Sequence, residues 1–344
     1  MELGISMFGD LSFDKNTKQF KPGITRVNEL LEEVKLADQV GLDYFGIGEH
    51  HREDYVVSSP EMILAAAASV TKNIKLGSAV TVLSSSDPVR TFQNFSTLDL
   101  LSNGRAEVMV GRGSFIESFP LFGHNLEDYN QLFEEKLDLL LNINSNQVVN
   151  WKGKFRPSLK NQEIFPRPTN DKLDIWIAAG GTTASVYRAA KLGLPLMIAI
   201  IGGYPSQFTP LFNLYKEQYI KHGHDVNKMR IGIHSHALIG ENSKDIAECY
   251  YPFYADQMNR IGKDRGWSAY SRMQFEASRS PEGALFVGDA SEVVDKILYQ
   301  QEMFGLTRFV AHVDVGGPEH KDIMKTIEIF GTKVAPEVKK ALQK

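Results

Sequence analysis

Cysteine is almost absent from this 344-residue chain: Cys249 is the only one. A single thiol excludes an intramolecular disulfide framework and a cysteine-built zinc site, and it fits a reducing compartment. Net charge is nearly absent too. Thirty-eight Lys and Arg against 42 Asp and Glu leave −4, so the surface as a whole has no drive toward nucleic acid or anionic membrane. Long apolar runs are missing: Met62–Ala68 and Leu196–Ile201 are the longest, far short of the ~20 residues that span a bilayer. Met1-Glu2-Leu3-Gly4 lacks the basic stretch and apolar core of a signal peptide. The expectation is a soluble cytoplasmic protein with no nucleic-acid partner and no membrane partner.

What is present is an alternation of short β-branched runs with helix-period segments. Leu3–Phe8, Tyr44–Glu49, Ile74–Leu83, Ala106–Val110, Ile175–Ala179, Leu196–Ile201, Ile231–Leu238 and Phe309–Val315 read as strands one to eight. Val27, Leu30, Leu31, Val34 and Val40 give the first helix its apolar stripe. Ser59-Pro60-Glu61 and Asp87-Pro88 open the next two with a capping side chain and a proline preset for the first turn. A fourth helix is expected from about Leu126 to Leu141, and others from near Thr183, Gln207, Asp245, Ser291 and His320. Eight βα units suit a closed TIM (β/α)8 barrel, 1–344 as a single domain, because closure leaves no unpaired edge. Two insertions follow strands four and seven. Residues 142–173 hold a hairpin with a Lys152-Gly153 turn, and residues 239–307 hold an aromatic helix and a Ser-, Arg- and Gly-rich segment, Gly266–Gly283, expected to be a mobile loop.

Active sites of such barrels lie at the C-terminal ends of the strands, and there this chain gathers polar residues. Gly180, Gly181, Thr182 and Ser185 lie between strand five and a helix. The glycines let backbone N–H groups approach an anion, the helix N-terminus adds partial positive charge, and two hydroxyls can donate. Arg112, between two glycines at the end of strand four, adds a bidentate donor. The residues thus read as a phosphate site or, individually, as a plain turn and cap. Glu49-His50-His51 ends strand two. Neighbouring strand residues face opposite ways, so a metal pair is disfavoured; the spacing reads equally as one imidazole serving as acid–base or hydrogen-bond donor or as histidines simply satisfied within the rim loop. His234 with His236, and His312 with Asp314, share faces and could imitate a hydrolytic metal site, yet strand one lacks the H-x-H pair usual in such barrels. No metal is expected.

The chain resembles the bacterial luciferase-like flavin-dependent monooxygenases over nearly its full length. The motifs are Gly48-Glu49-His50-His51, Ser78-Ala79-Val80, Asp87-Pro88-Val89-Arg90, Leu98-Asp99-Leu100-Leu101-Ser102-Asn103-Gly104-Arg105, Val110-Gly111-Arg112-Gly113 and Ala189-Ala190-Lys191-Leu192-Gly193-Leu194-Pro195. The segment from Phe115 to Gly123 looks like an uncharacterised oxidoreductase subgroup. The resemblance implies FMN across the barrel rim, its phosphate held by Arg112, Ser114, Gly180, Gly181, Thr182 and Ser185. Family members often carry a non-prolyl cis peptide beneath the isoalloxazine, and the equivalent bond is Ala79–Val80. His50 matches the histidine assigned an acid–base role. A second phosphate-binding arginine of the luciferases falls at Asn130. Residues 266–283 match a mobile active-site segment, a candidate lid.

The implied reaction uses reduced FMN from a separate NAD(P)H-dependent reductase, O2 and a small organic substrate in an enclosed pocket. Met7, Phe8, Phe115 and Phe119 are available as its walls, and a homodimer is implied. Alternatives are a deazaflavin-dependent hydride-transfer oxidoreductase, a non-catalytic flavin-binding protein and, least favoured, a metal-dependent hydrolase.

Overall fold

A computed structural model of the chain describes residues 1–113 and 115–343, the side chains of residues 264 and 265 excepted. Eight parallel strands form a closed ring: β1 (Glu2–Met7), β2 (Tyr44–Ile47), β3 (Lys75–Ser78), β4 (Ala106–Gly111), β5 (Asp174–Ala179), β6 (Leu196–Ala199), β7 (Ile231–Ile239) and β8 (Arg308–His312). Each pairs with its neighbours in chain order, and β8 returns to β1 with Glu2 beside Arg308 and Ser6 beside His312. This is the TIM barrel expected from the βα count. Around it lie α1 (Gly23–Gln39), α2 (Pro60–Val70), α3 (Pro88–Leu101), α4 (Tyr129–Ser145), α5 (Thr183–Leu192), α6 (Thr209–Lys221), α7 (Ser243–Arg265), α8 (Arg272–Arg279), α9 (Ala290–Phe304) and α10 (His320–Ile329). Among the described residues no helix is long and apolar enough to cross a membrane.

Local departures from the sequence reading have local causes. Asp87 caps α3 through the N–H groups of Val89 and Arg90, but Ser59 makes no side-chain cap on α2. Leu126–Asp128 is a 3₁₀ turn, and α4 starts only at Tyr129. The hairpin pairs Val148–Trp151 with Leu159–Glu163, so its loop is much longer than a Lys-Gly turn. The Glu135 carboxylate on α4 takes the N–H groups of Lys154 and Phe155 and draws the loop onto the helix. Gly266–Gly283 was expected to be a loop and instead contains α8. Ser271 and Gln274 form a capping box, Phe275 is buried, and Arg272 pairs with Glu248 and Glu276. The charges that suggest a solvated loop are spent on these pairs.

The barrel interior is layered. At the N-terminal end Arg308 is fully buried. Its Nη1 donates to Glu107 Oε2 at 2.7 Å and its Nε to Glu2 Oε2 at 2.7 Å. The guanidinium lies over Trp176 (4.2 Å) and Tyr44 (4.6 Å), which form the next layer with Met109, Met197 and Val310. Gly46 and Gly77 make room for the Tyr44 ring: a Cβ at either position would come within 2.8 Å of it. The top layer is imidazole. Ser6 Oγ bridges His234 Nε2 (2.7 Å) and His312 Nδ1 (3.1 Å), and His236 Nδ1 lies 3.1 Å from the Tyr254 hydroxyl. Burial holds His234 down to about 4 and His236 to about 3, and it carries His312 well below the ordinary value.

Two outcomes are expected. Arg308→Met leaves buried Glu107 with only the more exposed Lys75 and should cost roughly 3–5 kcal/mol in urea unfolding, part of it recovered in Arg308→Met/Glu107→Gln. Equal stability of the single and double variants would refute this account. His236 binds its proton only near 3 when folded but near 6.5 when unfolded. The unfolded chain therefore takes that proton first as pH falls, and stability is lost below about 6.5. Between pH 7 and 5 the wild type should lose on the order of 1–2 kcal/mol more than His236→Gln. Parallel pH profiles would show that His236 is not responsible.

Candidate active site

The C-terminal ends of the strands surround a cavity of about 440 Å³. His50, Ala79, Val80, Arg112, Gly180, Thr182 and Ser185, all named from the sequence, line it. Gly181 sits in the same turn at φ +106°, a backbone suited to glycine. Ser114 lies outside the described residues. The Ala79–Val80 peptide is cis, and Thr81–Val82 beyond it pairs with Val110–Gly111 of β4.

His50 and His51 both line the cavity, contrary to the expectation that one would face away. Strand β2 stops at Ile47, and the chain then turns, with His50 N–H donating to Val57 O at 2.9 Å. Alternation no longer governs the side chains there. The His50 ring packs on Tyr55 (4.2 Å), with Phe115 (4.6 Å) and Phe8 (4.9 Å) at its edges. Its Nδ1 lies 3.3 Å from Glu117 Oε1. Burial works to raise the Glu117 carboxyl, but the hydrogen bond to His50, the N–H groups of Glu117 and His51 and the His50 charge together outweigh it and keep the carboxyl below its usual value. A carboxylate on Nδ1 selects the tautomer that leaves Nε2 as an acceptor.

Across the ring, β4 and β5 bring Arg112 and Thr182 together. Arg112 Nη1 donates to Asn130 Oδ1 at 2.7 Å and Nη2 to Thr182 Oγ1 at 2.7 Å. The Thr182 hydroxyl does not cap α5; it donates to Ser185 Oγ at 3.0 Å. The guanidinium lies 5.2 Å from the Tyr129 ring. A fixed guanidinium, two hydroxyls, glycine backbone and the start of α5 form a donor set that fits a phosphate monoester, and Asn130, Thr182 and Ser185 bring no negative charge to it.

Of the four expected wall residues, Phe8 and Phe115 line the cavity. Met7 is buried in the core that β1 shares with α1, with its sulfur 3.8 Å from Arg26 Nη2, and Phe119 is buried and stacks on Tyr129. Tyr55, Tyr129 and Gln257 line the cavity without any sequence signal that separates them from surface polar residues, and Glu117 stands out in the sequence only as part of the Phe115–Gly123 segment. Gln257 reaches the Tyr55 hydroxyl at 2.8 Å across 202 positions of chain.

The model of the luciferase-like monooxygenase family matches residues 1–307. The alkanal monooxygenase alpha chain of Photobacterium leiognathi is 22% identical over 330 residues, 88% of this chain and 91% of that one. Among solved structures, monooxygenase RslO1 from Streptomyces bottropensis superposes with a TM-score of 0.84 at 20% identity, over 98% of this chain and 99% of that one. The oxygenating constituent of 3,6-diketocamphane monooxygenase from a Pseudomonas putida plasmid, in complex with FMN, gives 0.76 at 19% identity over the same shares. An F420-dependent secondary alcohol dehydrogenase has the same fold, with a TM-score of 0.74 at 18% identity over 98% and 99%. By the family match over most of its length, this chain belongs to the luciferase-like monooxygenases.

Proposed function

We propose that the protein is an FMN-dependent monooxygenase of the two-component type, served by a separate NAD(P)H-dependent flavin reductase and acting on a small organic substrate with O2. The observation that carries this reading is the Arg112–Asn130–Thr182–Ser185 cradle. It stands across the same cavity from His50 and Glu117. Bound reduced FMN would supply two electrons for O2, one oxygen atom going to the substrate and the other to water.

The chain's own residues have separable parts in this. Arg112, with the Thr182 and Ser185 hydroxyls, holds the phosphate, and the N-terminus of α5 adds its dipole. The peptide plane at Ala79–Val80 and the side chains of Met109 and Met197 offer an apolar floor for a flat ring. His50, with Nδ1 fixed by Glu117, accepts or returns a proton at Nε2. Phe8, Phe115 and Trp267 line the cavity and limit its access to water.

Titration of the purified protein with FMN, reduced FMN and deazaflavin, with O2 uptake followed alongside, tests the reading. FMN should bind, and Arg112→Met should weaken it by about 10–100-fold while leaving the far-UV circular dichroism unchanged, the loss expected of one charge-assisted pair. Binding of deazaflavin in place of FMN, without O2 uptake, would replace the reading with hydride transfer. FMN binding without any O2 consumption would leave a non-catalytic flavin carrier.

A further inference from the structure

The turn that follows β1 hangs on one carboxylate. Asp314, fully buried just past β8, accepts the Phe8 N–H at Oδ1 (3.0 Å) and the Gly9 and Asp10 N–H groups at Oδ2 (2.8 and 3.2 Å). Gly9, at φ +74°, lets three consecutive N–H groups converge on it. The turn carries Phe8, whose ring lines the cavity 4.1 Å from His312 and 4.9 Å from His50. This wall of the cavity is therefore seated on Asp314.

Behind Asp314 a line of alternating charges leads out to the surface. Arg26 Nη2 donates to Asp314 Oδ2 at 3.2 Å, and its Nη1 donates to both oxygens of Glu33 at 2.8 and 3.0 Å. Glu33 Oε1 lies 2.9 Å from His320 Nδ1, and His320 Nε2 lies 3.0 Å from Glu32 Oε2. The Arg26, Glu33 and Asp314 side chains are at most 2% exposed, whereas His320 is 25% exposed and Glu32 68%. One end of the line meets water and the other holds the turn.

A proton on each nitrogen of His320 gives both carboxylates a donor, and the charges of His320, Glu33, Arg26 and Asp314 then sum to zero. Without that proton the line holds one excess negative charge where water screens it poorly. The surroundings do not replace it. Glu29 and Glu32 of α1 face His320 with the same sign, and Lys21 is spent on Glu29. Glu319 and Lys321, beside His320 in the chain, are exposed, and Asp322 meets Cys249 at 3.4 Å. The Glu33 hydrogen bond, against burial, lifts His320 above its ordinary value. Burial raises the Asp314 carboxyl, and Arg26 and the Phe8 and Gly9 N–H groups work against it.

We infer that His320 is a pH-responsive latch on the cavity wall, its proton completing the buried charge line that holds the Phe8–Asp10 turn closed. Opening the turn lets water reach Asp314, which relieves an unbalanced line more than a balanced one. By linkage, the closed turn binds the His320 proton more tightly than the open one. The turn is therefore firm below the midpoint of His320 and looser above it, and that midpoint lies above 6.5. Nothing in this depends on which cofactor the cavity takes.

Amide hydrogen exchange of the full chain, resolved to Phe8, Gly9 and Asp10 and corrected for the intrinsic pH dependence of exchange, reads the turn directly. Between about pH 6 and 8.5, wild-type protection at these amides should fall by about threefold or more. His320→Gln cannot carry the proton. It should show the lower protection already at about pH 6 and change by less than about twofold over the range. Glu32→Gln removes only the exposed partner and should keep the step, moved to lower pH. Lys296 and Lys136, which burial brings down to about 7 and about 8, titrate alike in all three proteins and cancel from the comparison. Matching far-UV circular dichroism establishes that the variants fold. Unchanging wild-type protection, a step that persists in His320→Gln, or a step abolished in Glu32→Gln would each overturn the latch. Exchange is read without flavin, so a failure to bind FMN would count against the flavin reading alone.

Discussion

A guanidinium at the bottom of a barrel has to be matched on every side, and Arg308 is matched. Glu107 and Glu2 take its N–H groups, and the Trp176 and Tyr44 rings lie against it at 4.2 and 4.6 Å. Those two rings then fill the barrel's width, with glycines at positions 46 and 77 yielding to Tyr44. The interior is consequently sealed from below. Small residues such as Ala178 can stand above the aromatic layer without opening a channel, and the remaining space appears only at the C-terminal rim. A buried ion pair of this kind is weak evidence for stability; its structural effect is to fix which end of the barrel is closed.

The rim divides electrically. On the β4–β5 side stands a permanent charge, Arg112, with hydroxyls around it. On the β7–β8–β1 side stand imidazoles that burial keeps uncharged and a carboxyl that burial discourages from ionising. Between them the ring of His50 is held by aromatic edges and one carboxylate. Permanent positive charge and uncharged polar groups therefore stand on different sides of one cavity, with the His50–Glu117 pair between them.

Much of this was legible in the sequence, because it follows from local rules. Eight β-branched runs separated by helix-period segments suit a barrel, and glycine next to arginine or threonine at strand ends singles out residues that the structure brings together at the rim. The Arg112–Thr182 contact follows from β4 and β5 being ring neighbours. What escaped depends on side chains meeting across long separations. Glu117 reaches His50 over 67 positions and Gln257 reaches Tyr55 over 202; Glu117 lies in the Phe115–Gly123 segment, but nothing local to that segment announces its partner, and Gln257 has no motif at all. The helix Arg272–Arg279 escaped for a related reason: its Ser-, Arg- and Gly-rich surroundings read as a loop, and the Glu248 that pairs with Arg272 stands on another helix.

Asn130 gives the phosphate end its character. It holds the Arg112 guanidinium in place before any ligand arrives, while adding no charge of its own. With one cation at the rim, a phosphate bound as proposed would be oriented by Arg112 and held by a single charge. On the FMN reading proposed above, that would make this end of the cavity a berth and not a vault: the flavin would behave as a co-substrate in exchange with solution, and its supply would help set the pace of turnover.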